Sequence, residues 1–322
     1  MLRNFRSPTS TAPTRRARLA PTLGAALALA LGAHAAAQQA PAPPAGGPPP
    51  EVKVTTTLLG GSVYGIDGRG GRMAALVGPQ GVLLVDAQFP DVTDKIVAAI
   101  KQISPAPLRF LVNTHVHGDH TGGNENFAKL GVTILGRPEL REQLLMPRPG
   151  PNGQTPPAAP AGALPIVLYD NPTTIELDGE EVQLIPLPPA HTNGDTAVLF
   201  KKANVLMTGD VFRSEGMPAA AIGNGGSVLG ILKCIELFLQ ISDANTKVVP
   251  GHGPVANRDA LVFHRQVLVT VRDRVAKAKA EGKTLEQVQA LKPTADFDQR
   301  VGGPPAFIPQ FVATLYNELP AR

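Results

Sequence analysis

Residues 113–124, NTHVHGDHTGGN, hold three of the chain's seven histidines and one aspartate within six positions. Neutral imidazoles beside a carboxylate are the donors that zinc and similar divalent ions prefer. His115 and His117 are alternate residues past a strand-like run, so both can reach one ion. Asp119 and His120 fall one step further round the turn and can serve a second. One ion needs more than two protein donors, so further ligands are expected at later strand ends. His191 in PPAHTNGDT, Asp210 in LMTGDVF and His252 in VPGHGPV each follow an apolar run and stand beside glycine or a small residue. His264 lies three residues after Leu261 on an apolar helical stripe and reads instead as a core histidine with its hydrogen bonds satisfied.

Such ligands need a rigid frame. From Val52, VKVTTTLL alternates apolar and polar positions, SVYGI and RMAALVG flank the turn-rich DGRGG, and GVLLVDA is the continuous apolar run of a buried strand. The glycines at 68, 70 and 71 read as turn residues, because no helix follows to complete a phosphate-cradling loop. DVTDKIVAAIKQI places Ile96, Ala99, Ile100 and Ile103 on one helical face, and LRFLVN is a strand that ends where the histidine cluster begins. VTILG and the helix PELREQLL follow. Residues 147–163, dense in Pro, Gly and Ala, form either a floppy insertion or a lid.

TTIELDGEEVQLIPL is a hairpin turning at Asp178-Gly179. TAVLF, NVLMTGD and KVVPGHG are further strands. In VLGILKCIELFLQI the residues Leu229, Leu232, Ile235 and Leu239 recur at helical spacing, and Cys234, the single cysteine, reads as a buried structural thiol. A long helix from about Asn257 carries Leu261, Leu268, Val271 and Val275 on one face, and Thr284 with Gln287 forms a capping box for a shorter one. Strand meanders alternating with helices predict two packed sheets with helices on the outer faces.

Residues 1–37 carry five arginines and no acid around the apolar run 23–31, with small residues at Ala33, Ala35 and Ala37. This is the pattern of a removable export signal, and the apolar run is too short for the roughly 20 residues a membrane span requires. The expected location is periplasmic or secreted. Arg15-Arg16 partly matches a twin-arginine signal, so export by the general or the twin-arginine route stays open. Residues 38–50 are a proline-rich tether, and 51–322 form one domain. Removing the signal leaves 25 basic against 26 acidic residues, so the overall net charge of +4 belongs to the signal. With it goes the case for a nucleic-acid partner. A small-molecule substrate is expected, and the sequence does not speak to oligomeric state.

The ordered set Asp86 closing GVLLVDA, then HVHGDH, AHT, TGD and PGHG, resembles the metallo-β-lactamase superfamily of metal-dependent hydrolases, from about Val52 to Pro254. The resemblance implies an α/β fold, the four-layer αββα sandwich, with a dinuclear site along one edge of the two sheets. It implies His115, His117 and His191 on the first metal, Asp119, His120 and His252 on the second, and Asp210 bridging both. Asp86 would orient the histidine loop without being a ligand. Two Zn2+ ions are expected, and iron or manganese suits the same mixed donors.

Such ions, about 3.5–4 Å apart, lower the pKa of a bridging water and polarise a carbonyl, so no serine nucleophile is needed. For the proton delivered to the leaving group the candidate is water on the second metal, held by Asp119, the residue expected to take the catalytic role. Members with β-lactamase activity carry cysteine or serine at the position of Asp210. The aspartate is similar to hydroxyacylglutathione hydrolases and lactonases. Arg213 and Asn224 stand where β-lactamases hold a lysine and an asparagine for substrate, or else are a solvated arginine and a plain turn. The leading expectation is an exported hydrolase that opens a cyclic amide or ester. A thioesterase or lactonase is the alternative, and a non-catalytic metal-binding protein is the third reading.

Overall fold

The computed structural model describes residues 51–147, 157–303 and 307–320. The expected signal (1–37), the tether (38–50) and residues 148–156 of the insertion lie outside them. The first four strands, β1 (Thr55–Gly60), β2 (Val63–Asp67), β3 (Met73–Gly78) and β4 (Gly81–Val85), form an antiparallel meander. Helix α1 (Thr93–Ile103) then carries the chain back, so that β5 (Leu108–Val112) lies parallel to β4. The short helices α2 (Gly118–Thr121) and α3 (Asn124–Lys129) lead to β6 (Thr133–Gly136), and α4 (Pro138–Leu144) precedes β7 (Val167–Leu168). The seven strands stand in sequence order in one sheet.

The second sheet has the order β12-β11-β10-β9-β8. It comprises β8 (Thr173–Leu177), β9 (Glu180–Pro186), β10 (Thr196–Phe200) and β11 (Val205–Gly209), with β12 (Lys247–Pro250) added in parallel after α5 (Val228–Ile241). Asp178 and Gly179, both at positive φ, make the tight β8–β9 turn that the Asp-Gly pair predicted. The chain continues through α6 (Arg258–Ala280), α7 (Leu285–Ala290), α8 (Ala295–Val301) and α9 (Phe307–Glu318). No helix among the described residues is long and apolar enough to cross a membrane.

Side chains alternate between the two faces of a strand, and this alternation produces the layers. Ala74, Leu76, Leu83 and Val85 of the first sheet meet Val198, Phe200, Val205 and Met207 of the second in one buried cluster between the sheets. Their neighbours Met73, Ala75, Val82 and Leu84 face the other way, against Ile96 and Ile100 of α1 and Phe127 of α3. On the far side, Ala197, Leu199 and Leu206 pack on Ile231, Ile235 and Phe238 of α5 and Leu261, Leu268 and Val271 of α6. Four layers, helix on sheet on sheet on helix, follow from period two in the strands and 3.6 in the helices.

Local departures have local causes. The first four residues of β1, numbers 55–58, are exposed at the edge of the sheet. In α5 the buried stripe runs through Val228, Ile231, Ile235 and Phe238, while Leu229 and Leu239 are only partly covered. The helix is apolar nearly all round, and sequence spacing alone does not choose a face. Cys234 is buried within it, and burial pushes its thiol up, away from the reactive range.

Candidate metal centre

Strand β4 ends at Asp86, whose φ of 66° lies in the left-handed region that costs a non-glycine residue on the order of 1 kcal/mol. That turn aims the carboxylate across the sheet. Asp86 Oδ1 accepts from Thr114 N at 2.7 Å, and Oδ2 accepts from Thr114 Oγ1 and lies 2.7 Å from His120 Nδ1. One buried carboxylate thus fixes both ends of the loop after β5. His115 follows Thr114, His117 caps α2, and Asp119 and His120 lie on its single turn. His191 follows β9, Asp210 follows β11 and His252 follows β12, so the second sheet supplies the remaining three from its strand ends.

The seven side chains converge. His115, His117 and His191 form one set whose donor atoms lie within 4.8 Å of one another, and Asp119, His120 and His252 form another. His115, His120 and Asp210 form a third set that overlaps both. Asp210 Oδ1 is 3.3 Å from His120 Nε2, and its Oδ2 is 3.4 Å from His252 Nε2 and 3.7 Å from His191 Nε2. Asp119 Oδ2 is 3.1 Å from His252 Nε2.

The donor set fits divalent cations on a test internal to this structure. Asp210 is buried, and among the described residues neither carboxylate oxygen accepts a hydrogen bond in good geometry, the nearest nitrogen being His120 Nε2 at 3.3 Å; His115 Nε2 is likewise buried without a partner. Burial alone would raise the Asp210 pKa, but His120 and then His252 outweigh it and hold the carboxyl well below its usual range. A buried, ionised carboxylate with no donor is costly unless a cation faces it.

Ring orientation agrees. His191 Nδ1 donates to the Ala219 carbonyl at 2.6 Å, and His120 Nδ1 faces Asp86. His115 Nδ1 faces Thr114 Oγ1 at 3.1 Å, an oxygen whose own proton goes to Asp86. His117 Nε2 faces Asn224 Oδ1 at 3.2 Å. In each of these four rings one nitrogen is committed outward, so the other is directed at the cluster, as metal-bound histidines require.

Charge is distributed unevenly. Burial opposes a proton on His120, yet Asp86 and Asp210 outweigh it and hold its pKa well above the ordinary value. Burial, then His191, lowers His117 to about 3, and burial with His120 holds His115 well below its usual range. For Asp119 burial raises the pKa, but the contact with His252 and the charge of His120 bring it down, so it is ionised at neutral pH. His117, Gly118 and His252 carry the accessible side of the cluster.

Two of the residues that shape the site are glycines. A Cβ on Gly71 would overlap the His120 ring, and a Cβ on Gly251 would overlap Asp210 Oδ1. Gly71, expected only to turn the chain, also donates its N–H to Asp119 O at 2.9 Å. Arg72 N donates to Gly251 O and its guanidinium to Gly253 O, tying the β2–β3 turn to the loop of His252. Asp195 accepts from Thr192 N and Thr192 Oγ1 and shapes the loop after His191; burial raises its pKa to about 6.

Other expectations change. Arg213 is half-buried, its guanidinium 5.9 Å from the centre of the Phe307 ring, so it is not simply solvated. The GNGGS stretch is more than a plain turn: Asn224 reaches His117, and Ser227 caps α5 by accepting from Gly230 N, with Glu318 of α9 accepting from Val228 N and Leu229 N. His264 is buried as expected but not satisfied, because its Nε2 has no hydrogen-bond partner; it packs edge-on against Phe212, ring centres 4.9 Å apart.

Comparison with known proteins agrees with this architecture. A sequence profile described as the metallo-beta-lactamase superfamily matches residues 67–260. A beta-lactamase-like protein 2 homolog of Caenorhabditis elegans is 27% identical over 193 residues, covering 57% of this chain and 57% of that protein. A hydroxyacylglutathione hydrolase of Rhodospirillum rubrum is 27% identical over 168 residues, covering 51% of this chain and 55% of that protein. The chain thus spans little more than half the length of these curated relatives. Among solved structures, a metallo-beta-lactamase from Pontibacter korlensis superposes with a TM-score of 0.57 at 17% identity, over 67% of this chain and 99% of that one. At that identity the likeness speaks for the fold.

Proposed function

The chain belongs to the metallo-β-lactamase superfamily, and on that premise we propose that it is an exported, dinuclear zinc hydrolase that opens a cyclic amide or ester of a small molecule. Superfamily membership supports a metal-dependent hydrolase in general. The observation that carries the two-ion reading is Asp210, buried and facing His120, His191 and His252, with neither oxygen accepting a hydrogen bond in good geometry among the described residues. His115, His117 and His191 would hold one ion, Asp119, His120 and His252 a second, and Asp210 both. Bound there, the ions would supply an acidified water and an electrophile for a carbonyl oxygen.

The chain's own groups do the rest. Asp86 faces His120 Nδ1 and, through Thr114, orients His115, so that the other nitrogen of each ring points inward. Hydrolysis adds water across the acyl bond: a C–O bond forms, the C–N or C–O bond to the leaving group breaks, and a proton must reach the leaving atom. Asp119, ionised beside the accessible His252, is placed to take that proton and pass it on. Substrate would enter past Gly118, where even an added Cβ would meet nothing within 4 Å.

A second reading, thioester hydrolysis, is favoured by the match to a hydroxyacylglutathione hydrolase. The experiment is turnover of a chromogenic lactam, a lactone and a thioester by zinc-loaded protein, with and without chelator. Chelator-sensitive lactam or lactone turnover supports the first reading, and thioester turnover alone supports the second. Bound zinc with no turnover of any of the three would overturn both in favour of a metal-binding protein without catalysis.

A further inference from the structure

His117 is held unlike His115, His120 and His191. Their outward nitrogens meet a backbone carbonyl, a carboxylate, or a hydroxyl whose proton is already committed to Asp86. Each of those partners can only accept. The outward Nε2 of His117 meets a side-chain amide, Asn224 Oδ1. An amide can turn over and present NH2 instead of oxygen. Turned, it would oppose Nε2 with a donor, move the ring proton to Nδ1, and take the lone pair away from the group shared with His115 and His191.

The polarity of that amide is set from one unambiguous acceptor, the backbone carbonyl of Asn224. Gln143 on α4 donates Nε2 to this carbonyl at 3.1 Å, and the same nitrogen donates to Asn193 Oδ1. With its NH2 so committed, Gln143 turns Oε1 towards Asn224 Nδ2, which donates to it at 2.7 Å. Asn224 is left with Oδ1 towards His117. The frame is firm: Gln143 is buried, Asn193 N also donates to the Asn224 carbonyl at 2.9 Å, and Gly225, at a φ of 72°, closes the 3-10 turn Ile222–Asn224.

We propose that Gln143 and Asn224 are positioning residues that set the tautomer of His117, keeping the proton on Nε2 and the lone pair of Nδ1 towards the metal group. The proposal rests on the metal reading above. It gives Asn224 a role other than contacting substrate, because both ends of its amide are engaged by protein. Gln143 reaches His117 through Asn224.

The test is long-range 1H–15N NMR of the histidine rings in the full chain at neutral pH, metal-free and zinc-loaded, alongside zinc titration against a competing chelator. In the metal-free chain His117 Nδ1 lies 2.9 Å from His191 Nε2, an acceptor because His191 Nδ1 donates to Ala219 O, so Asn224 and His191 compete for the ring proton; the zinc-loaded wild type should carry it on Nε2. Gln143→Leu and Asn224→Leu should mix or reverse that tautomer while His120 and His191 keep theirs, and should weaken zinc binding by about 10–100-fold. Asn224→Asp, close in size and still an acceptor at Nε2, should keep the wild-type tautomer, an outcome that a merely structural role for the side chain does not predict. A His117 tautomer population unchanged from the wild type in both metal-free leucine variants would overturn the relay, as would an Nδ1-protonated His117 in the zinc-loaded wild type. Wild-type protein with Nε2–H on His117 and no affinity for zinc would support the relay and overturn the metal reading, so the two failures are distinct.

Discussion

His120 and His117 belong to neighbouring ligand groups and are held by opposite means. His120 leans on a buried carboxylate, Asp86, and faces a second, Asp210; its pKa is held well above the ordinary value. His117 leans on a neutral amide that is itself fixed by another, and burial lowers its pKa to about 3. The difference teaches that one loop can carry two kinds of ligand. A charged support fixes a ring without help but makes it strongly basic, whereas a neutral support leaves the ring uncharged and needs a second residue to choose its polarity.

Removing each support should break this contrast unequally. In the metal-free protein Asp86→Ala removes the carboxylate on His120 Nδ1 while Asp210 still faces Nε2, and the expected loss is about 3 kcal/mol of unfolding free energy. Asn224→Ala removes two neutral hydrogen bonds and should cost about 1–2 kcal/mol. Urea unfolding of both variants measures this; equal losses would erase the distinction.

Acid offers a second way in. His117 and His264, lowered to about 3 and about 4 by burial, are neutral in the folded chain while their unfolded counterparts bind protons below about pH 6.5. The unfolded state then holds more protons, so both make the metal-free protein lose stability as pH falls from about 6.5 towards 4, by up to roughly 3 kcal/mol each. His120, its pKa raised, acts with the opposite sign: its stabilisation is complete below about pH 6.5 and fades as pH rises through its folded pKa. His264→Leu, outside both ligand groups, should flatten the acid limb in unfolding curves taken across this range; an unaltered limb would mean that His264 is not the titrating group.

A smaller effect is expected on the His120 side. Gly251→Ala would drive a methyl group into Asp210 Oδ1 and against His120, costing about 1–3 kcal/mol as overpacking does elsewhere. It should weaken zinc binding while leaving the His117 tautomer as in the wild type, which the same NMR experiment reads.

The residues that converge in the cluster were legible because metal chemistry admits few residue types and each of the later ones follows an apolar run that ends at a strand terminus. The layers were legible because the strands keep period two. Gly71 and Gly251 read only as turns, since their role is a close approach to side chains distant in sequence. Gln143 was illegible for a different reason: an amide on one turn of α4 has no signature until the 3-10 turn at Asn224 folds against it. The missing hydrogen bond of His264 could not be read either, because burial follows from helical period and partnering does not.

The most direct test of the two-ion centre is the number of zinc ions bound per chain by metal-free protein, measured by titration for the wild type and for Asp210→Ala. The expected result is two tightly bound ions in the wild type, one for each ligand group that Asp210 faces, and the loss of at least one in the variant. A wild type that binds a single ion or none, or a variant that binds two as tightly as the wild type, would contradict it.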